Sequence, residues 1–174
     1  VVPGLGNSGP GHWQRRWAGR FTHATWVEQA DWDRPTLQDW VGAIERAVMM
    51  ATRPVVIVAH SLGVAATVHA AQHFRDTKVR GAFLVAPPDF DSEAIPPEAA
   101  PFARVPRDPL PFPSMLVGSS NDPLCSVEHA VDLATCWGSD FHVAQNAGNI
   151  NAASGHGPWP EGLMMFTRLM QRLK

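Results

Sequence analysis

The sequence is poor in cysteine and lysine and has no long apolar run. Two cysteines, Cys125 and Cys136, stand eleven residues apart. On or beside one helix, at about 1.5 Å per residue, that spacing separates them by roughly 16 Å, whereas a disulfide needs Cα atoms within about 7 Å. Free thiols are therefore expected, as suits a cytoplasmic protein. Lys78 and Lys174 are the only lysines beside 12 arginines, and these 14 basic residues are scattered against 16 acidic ones, for a formal charge of −2. Nucleic acid is not an expected partner, because no basic patch is present to meet phosphates. Runs such as Val55-Val56-Ile57-Val58-Ala59 fall far short of the roughly 18 residues of a membrane span. No basic segment followed by an apolar one opens the chain, so no secretion signal is expected. Val1-Val2 directly before Pro3 is a short strand, and a few residues of that strand are expected to be missing.

What is present reads as one α/β domain over residues 1–174, since 174 residues fit a single domain of typical size. Short β-branched runs alternate with longer periodic stretches, the rhythm of βα units around a mainly parallel sheet. Six strands are expected, near Val1-Val2, Ala24–Glu28, Val55–His60, Arg80–Ala86, Ser114–Gly118 and Phe141–Ala144. Helical patterns cover His12–Phe21, Leu37–Met50, Leu62–Phe74, Val127–Cys136 and Glu161–Leu173. In the second, Leu37, Trp40, Val41, Ile44, Ala47 and Val48 form one apolar stripe. Seven of sixteen prolines fall between Pro96 and Pro113, which argues for a surface loop there.

Gly4-Leu5-Gly6-Asn7-Ser8-Gly9 matches G-x-G-x-x-G after a strand, with Glu28 nineteen residues past Gly9, a superficial dinucleotide fingerprint. Its third glycine should lie in a helix packed on the strand, yet Pro10 and Gly11 follow it, so an irregular loop is expected. A stronger signal is Pro54-Val55-Val56-Ile57-Val58-Ala59-His60-Ser61-Leu62-Gly63. It reads as a buried strand, a serine and a helix. A serine on such a turn takes strained backbone angles, and its neighbours two positions away must be small. Ala59 and Gly63 meet that need in a G-x-S-x-G pattern whose first glycine is alanine. The Leu62 N–H, at a helix N-terminus, would face an oxyanion formed at Ser61. The same stretch also fits an ordinary buried serine in a strand-to-helix turn.

Four segments together carry a more specific resemblance: Pro3–Gln14 (PGLGNSGPGHWQ), Ala59–Gly63, Ser120–Cys125 (SNDPLC) and Gly148–Gly162. In order and over nearly the whole chain, they resemble the small α/β-hydrolase family that includes retinoblastoma-binding protein 9 and many bacterial relatives. The resemblance implies a three-layer α/β-hydrolase sandwich without a cap domain, with Ser61 as nucleophile and Asp122 as the carboxylate that orients a histidine. The residues agree independently: Asp122 follows a strand at the carboxyl edge of the sheet, where open α/β folds build their sites, and the order Ser, Asp, His is that of these hydrolases. Asp122 before Pro123 also suits a turn or helix cap. The Leu5 N–H is the candidate second oxyanion donor, with Gly6 as the fallback. Gly6, in that loop, His12 and Trp13, beside it, and His60 are candidate pocket residues.

The family's catalytic histidine aligns with Asn149. An imidazole accepts the serine proton and returns it to the leaving group, whereas an amide holds a hydrogen bond without useful basicity. His156, between Gly155 and Gly157, is the only later histidine and an alternative base, seven residues too late. His69 and His73 have helical i, i+4 spacing but no evident third metal ligand, so neither metal nor cofactor is expected. Three readings result: a serine hydrolase acting on a small ester or amide through a Ser61 acyl-enzyme; a catalytically silent binding protein of the same fold; and a dinucleotide binder. Binding of the retinoblastoma protein has no support, since Leu-x-Cys-x-Glu does not occur.

Overall fold

The computed structural model describes residues 1–74 and 78–173. Four parallel strands form one sheet in the order β1 (Val55–His60), β2 (Val79–Val85), β3 (Ser114–Ser119) and β4 (Asp140–Ala144). Val58 pairs with Phe83, Val85 with Val117 and Gly118 with Val143. Three of these strands are apolar on both faces, as expected of a parallel sheet covered by helices on both sides. Around it lie α1 (Trp13–Ala18), α2 (Leu37–Met50), α3 (Leu62–Ala71), α4 (Val127–Trp137) and α5 (Pro160–Arg172).

Strand alternation divides the core in two. Ile57, Ala59, Leu84 and Leu116 pack with residues of α2, α3 and α4. Val58, Phe83, Val85 and Val117 pack with Trp13 and Trp17 of α1 and Leu169 of α5. Nine of the ten residues of α3 are buried, which makes it the helix most enclosed by the fold and a rigid support for whatever precedes it. The helix ends follow local chemistry. Thr36 accepts the Asp39 N–H at 3.1 Å and Ser126 the His129 N–H at 3.1 Å, satisfying donors that a helix start leaves open. Gly138, at φ 66°, closes α4.

The sheet is narrower than the six strands expected. Val2 makes a single parallel bridge to Ala59, through Val2 N–H to Val58 O at 2.8 Å and His60 N–H to Val2 O at 3.1 Å. Pro3 has no N–H with which to continue the ladder. Residues 24–28 run alongside Val1, with the Val27 N–H on its carbonyl at 2.9 Å. Val27 packs in the same core cluster as Ile57 and Ala59, but among the described residues no ladder hydrogen bond joins residues 24–28 to a named strand, so neither expected segment becomes a strand. The proline-rich segment holds one short 3₁₀ helix, Pro97–Phe102. Both cysteines are free. Among the described residues no helix is long and apolar enough to cross a membrane.

Candidate active site

The turn from β1 into α3 presents Ser61 at φ 53° and ψ −125°, a conformation that costs a non-glycine residue about 1–3 kcal/mol. It is fixed by the Ser61 N–H on Val85 O at 2.9 Å and the Val64 N–H on Ser61 O at 2.8 Å. The small residues around it answer to a second strand of chain passing overhead. A Cβ on Gly63 would lie 2.5 Å from Pro3 O and 2.6 Å from Val2 O, and one on Gly4 would lie 3.0 Å from the Ser61 Cβ. Gly4 thus lies against the serine and the first turn of α3. Among the described residues neither the Leu5 nor the Leu62 N–H has an acceptor. The Gly6 N–H does, on Trp32 O at 2.9 Å, and that commitment removes the fallback oxyanion donor.

Asp122 occupies the turn after β3. Its Oδ1 accepts the Leu124 N–H at 2.9 Å, and the Asn149 Nδ2 donates to Oδ1 at 3.1 Å and Oδ2 at 3.0 Å. Burial raises the Asp122 pKa above the ordinary carboxylate value, against the lowering effect of the hydrogen bonds from Leu124 and Asn149. The loop that carries Asn149 is held from below by the end of β3. The Ala147 N–H donates to Ser119 Oγ at 3.1 Å and the Gly148 N–H to Asn121 Oδ1 at 2.7 Å, while the Asn146 N–H reaches Ser120 Oγ at 2.8 Å. Ile150 is fully buried at φ 48°, a rare conformation for a β-branched side chain. Its carbonyl accepts the Trp13 Nε1–H at 2.9 Å.

Other expected site residues prove to be supports. His60 and His12 are 3% and 5% exposed and Trp13 is fully buried, so these side chains brace the site from behind. His60 Nε2 lies 2.8 Å from the Asn149 carbonyl; a carbonyl only accepts, so that nitrogen carries the proton. The His12 Nδ1 accepts the Gln14 N–H at 3.1 Å and caps α1. Burial presses the His60 pKa down to about 4 and the His12 pKa to about 3, with the His60 and His156 rings adding to the latter. Gln14, absent from the sequence-based site, pins the loop to the sheet: it accepts from Ser8 Oγ at 2.9 Å and donates to Val2 O at 3.1 Å and Val58 O at 3.3 Å. Ser119 and Asn121 are likewise not legible as supports, because their role depends on a loop 28 and 27 residues away.

His156 hydrogen-bonds Ser154 Oγ at 3.1 Å and packs edge-on against Trp159; among the described residues it has no hydrogen bond to Ser61 or Asp122. His69 meets Phe102 O at 3.3 Å and His73 meets Glu45 at 2.5 Å, and no group of three or more metal-ligating side chains occurs among the described residues. Gly9 lies in the loop ahead of α1, outside the helix in which a dinucleotide fingerprint would place it.

A parallel sheet sandwiched by helices, with a strained serine between strand and helix, defines an α/β-hydrolase fold. Residues 1–168 match the family described as serine hydrolase, and the chain belongs to that family. A crystal structure of a YdeN-like hydrolase from Pectobacterium atrosepticum is 35% identical, with a TM-score of 0.87 over 99% of this chain and 89% of that one. The ydeN product of Bacillus subtilis superposes with a TM-score of 0.79 at 18% identity, over 98% of this chain and 96% of that one. An esterase domain from Rhodothermus marinus shares the fold at a TM-score of 0.58 and 15% identity, over 79% of this chain and 70% of that one. No curated protein matches the chain.

Proposed function

We propose that the chain is a serine hydrolase scaffold for small esters or amides in which Ser61 is the nucleophile, Asp122 the orienting carboxylate and Asn149 the occupant of the base's position. The observation that carries this reading is the two-oxygen contact of the Asn149 amide with Asp122, at 3.0 and 3.1 Å. That is the contact an imidazole Nδ1–H would make to be oriented by the carboxylate.

In the reaction, Ser61 Oγ bonds to the acyl carbon as its proton passes to solvent water, and the carbonyl oxygen becomes an oxyanion facing the Leu5 and Leu62 amides. Collapse expels the alcohol or amine, which takes up a proton, and water then releases the acid and restores the serine. Asn149 cannot carry the proton in either half, so turnover rests on the oxyanion donors and substrate positioning, which in triad enzymes retain about 10³–10⁴ of the acceleration over water. The expected outcome for Asn149→His is a rise in kcat/KM on p-nitrophenyl acetate of about 10³-fold or more, with a limb near the ordinary histidine pKa. Equal rates before and after the substitution would overturn the assignment.

A second reading, a silent binding protein that retains the pocket, is favoured by the same amide: its contact with both Asp122 oxygens holds it in place, and an amide has no basic nitrogen to take the serine proton. Under that reading Asn149→His gains no activity, whereas an ester analogue still binds.

A further inference from the structure

The residue before the serine ties the serine's turn to the loop that carries position 149. The His60 backbone belongs to β1 and leads directly into Ser61, and its Nε2–H donates to the carbonyl of Asn149 at 2.8 Å across 89 residues of sequence. The next carbonyl, of Ile150, is taken by the Trp13 Nε1–H at 2.9 Å. Asn121 and Ser119 hold the N–H groups of Gly148 and Ala147. The loop contains left-handed Asn146 and Ile150, at φ 51° and 48°, which would relax without such ties. His12 packs edge-on against the His60 ring with centroids 4.7 Å apart, fixing the plane in which that ring donates.

We propose that His60 is a positioning residue of the hydrolase site: by holding the 149 carbonyl it sets the angle at which the side chain of position 149 meets Asp122, and it fixes that side chain relative to Ser61. The proposal rests on the functional reading above for its kinetic consequence, but its geometric part stands apart from activity. His60→Gln keeps an N–H donor at the place of Nε2, whereas His60→Phe keeps the ring volume and removes the donor.

Two measurements separate the proposals. The first follows, by NMR in the chain as it stands, the exchange protection and chemical shift of the Asn149 side-chain amide, with thermal unfolding as a check on the fold. His60→Phe is expected to lose the protection conferred by Asp122 and His60→Gln to keep it; an Asn149 amide unchanged in folded His60→Phe overturns the positioning role. The second places both substitutions in the Asn149→His background. His60→Phe is expected to lower kcat by about 10- to 100-fold, the scale of a small misplacement of a reacting group, with KM nearly constant and His60→Gln restoring most of the loss. Equal kcat for His60→Phe and its parent overturns the proposal. An inactive Asn149→His parent overturns the functional reading instead, and the NMR result still decides the geometric one. If neither variant folds, Trp13→Phe, which removes the donor to the neighbouring carbonyl, is expected to loosen the same amide; no change there also counts against a bracketed loop.

Discussion

Two buried neutral histidines behind the serine make stability fall as the solution becomes acidic. The His12 and His60 pKa values lie near 3 and 4 in the folded protein, against about 6.5 in an unfolded chain. Between pH 6.5 and 4 the unfolded state binds two protons that the folded state refuses. Stability therefore rises with pH in that window, by up to about 1.4 kcal/mol per pH unit for each histidine, or about 2.7 for the pair near pH 5. Asp122 acts in the opposite sense: its folded pKa is raised, so its contribution is lost as pH rises through a window just above the ordinary carboxylate value. Urea unfolding at half-unit steps from pH 4 to 7 measures the slope. His12→Asn retains an oxygen acceptor to cap α1 and removes one titrating group, so the slope near pH 5 is expected to fall by about half. A flat profile between pH 5 and 6.5, or a His12→Asn profile as steep as its parent's, would refute the reasoning.

The remaining predictions concern the turn. Ser61→Gly relieves the backbone cost of φ 53°, and after the entropy lost to glycine it is expected to raise stability by about 1 kcal/mol in urea unfolding, whereas Ser61→Ala brings no such gain. Gly63→Ala forces a methyl group to within 2.6 Å of two backbone carbonyls; it is expected to cost about 1–3 kcal/mol and to lower ester hydrolysis in the Asn149→His background by displacing the Leu5 loop.

The central strands were legible because β-branched runs buried on both faces carry a strong signal, and Val55–His60 was read to the residue. The outer strands were not, since Val1-Val2 and residues 24–28 look apolar and extended in isolation while strand formation depends on a partner long enough to pair with. In the site, the pairing of Asp122 with position 149 followed from the family resemblance, and the two side chains do meet. The burial of His12, Trp13 and His60 was not legible: each has a polar atom suited to a pocket, and whether that atom faces substrate or a distant backbone carbonyl is decided by packing. Gln14, Ser119 and Asn121 show the same limit, because each ties together segments that only the fold brings near. Gly6 illustrates the converse, a free amide by sequence that Trp32 takes up.

The most direct test of the proposed site, with Asn149 in the place of the base, is labelling by a fluorophosphonate, with the modified residue mapped by mass spectrometry. The expected pattern is slow labelling of the chain as it stands and rapid labelling of Asn149→His at Ser61, abolished by Ser61→Ala. Rapid labelling of the unsubstituted chain, or none of Asn149→His, would contradict it.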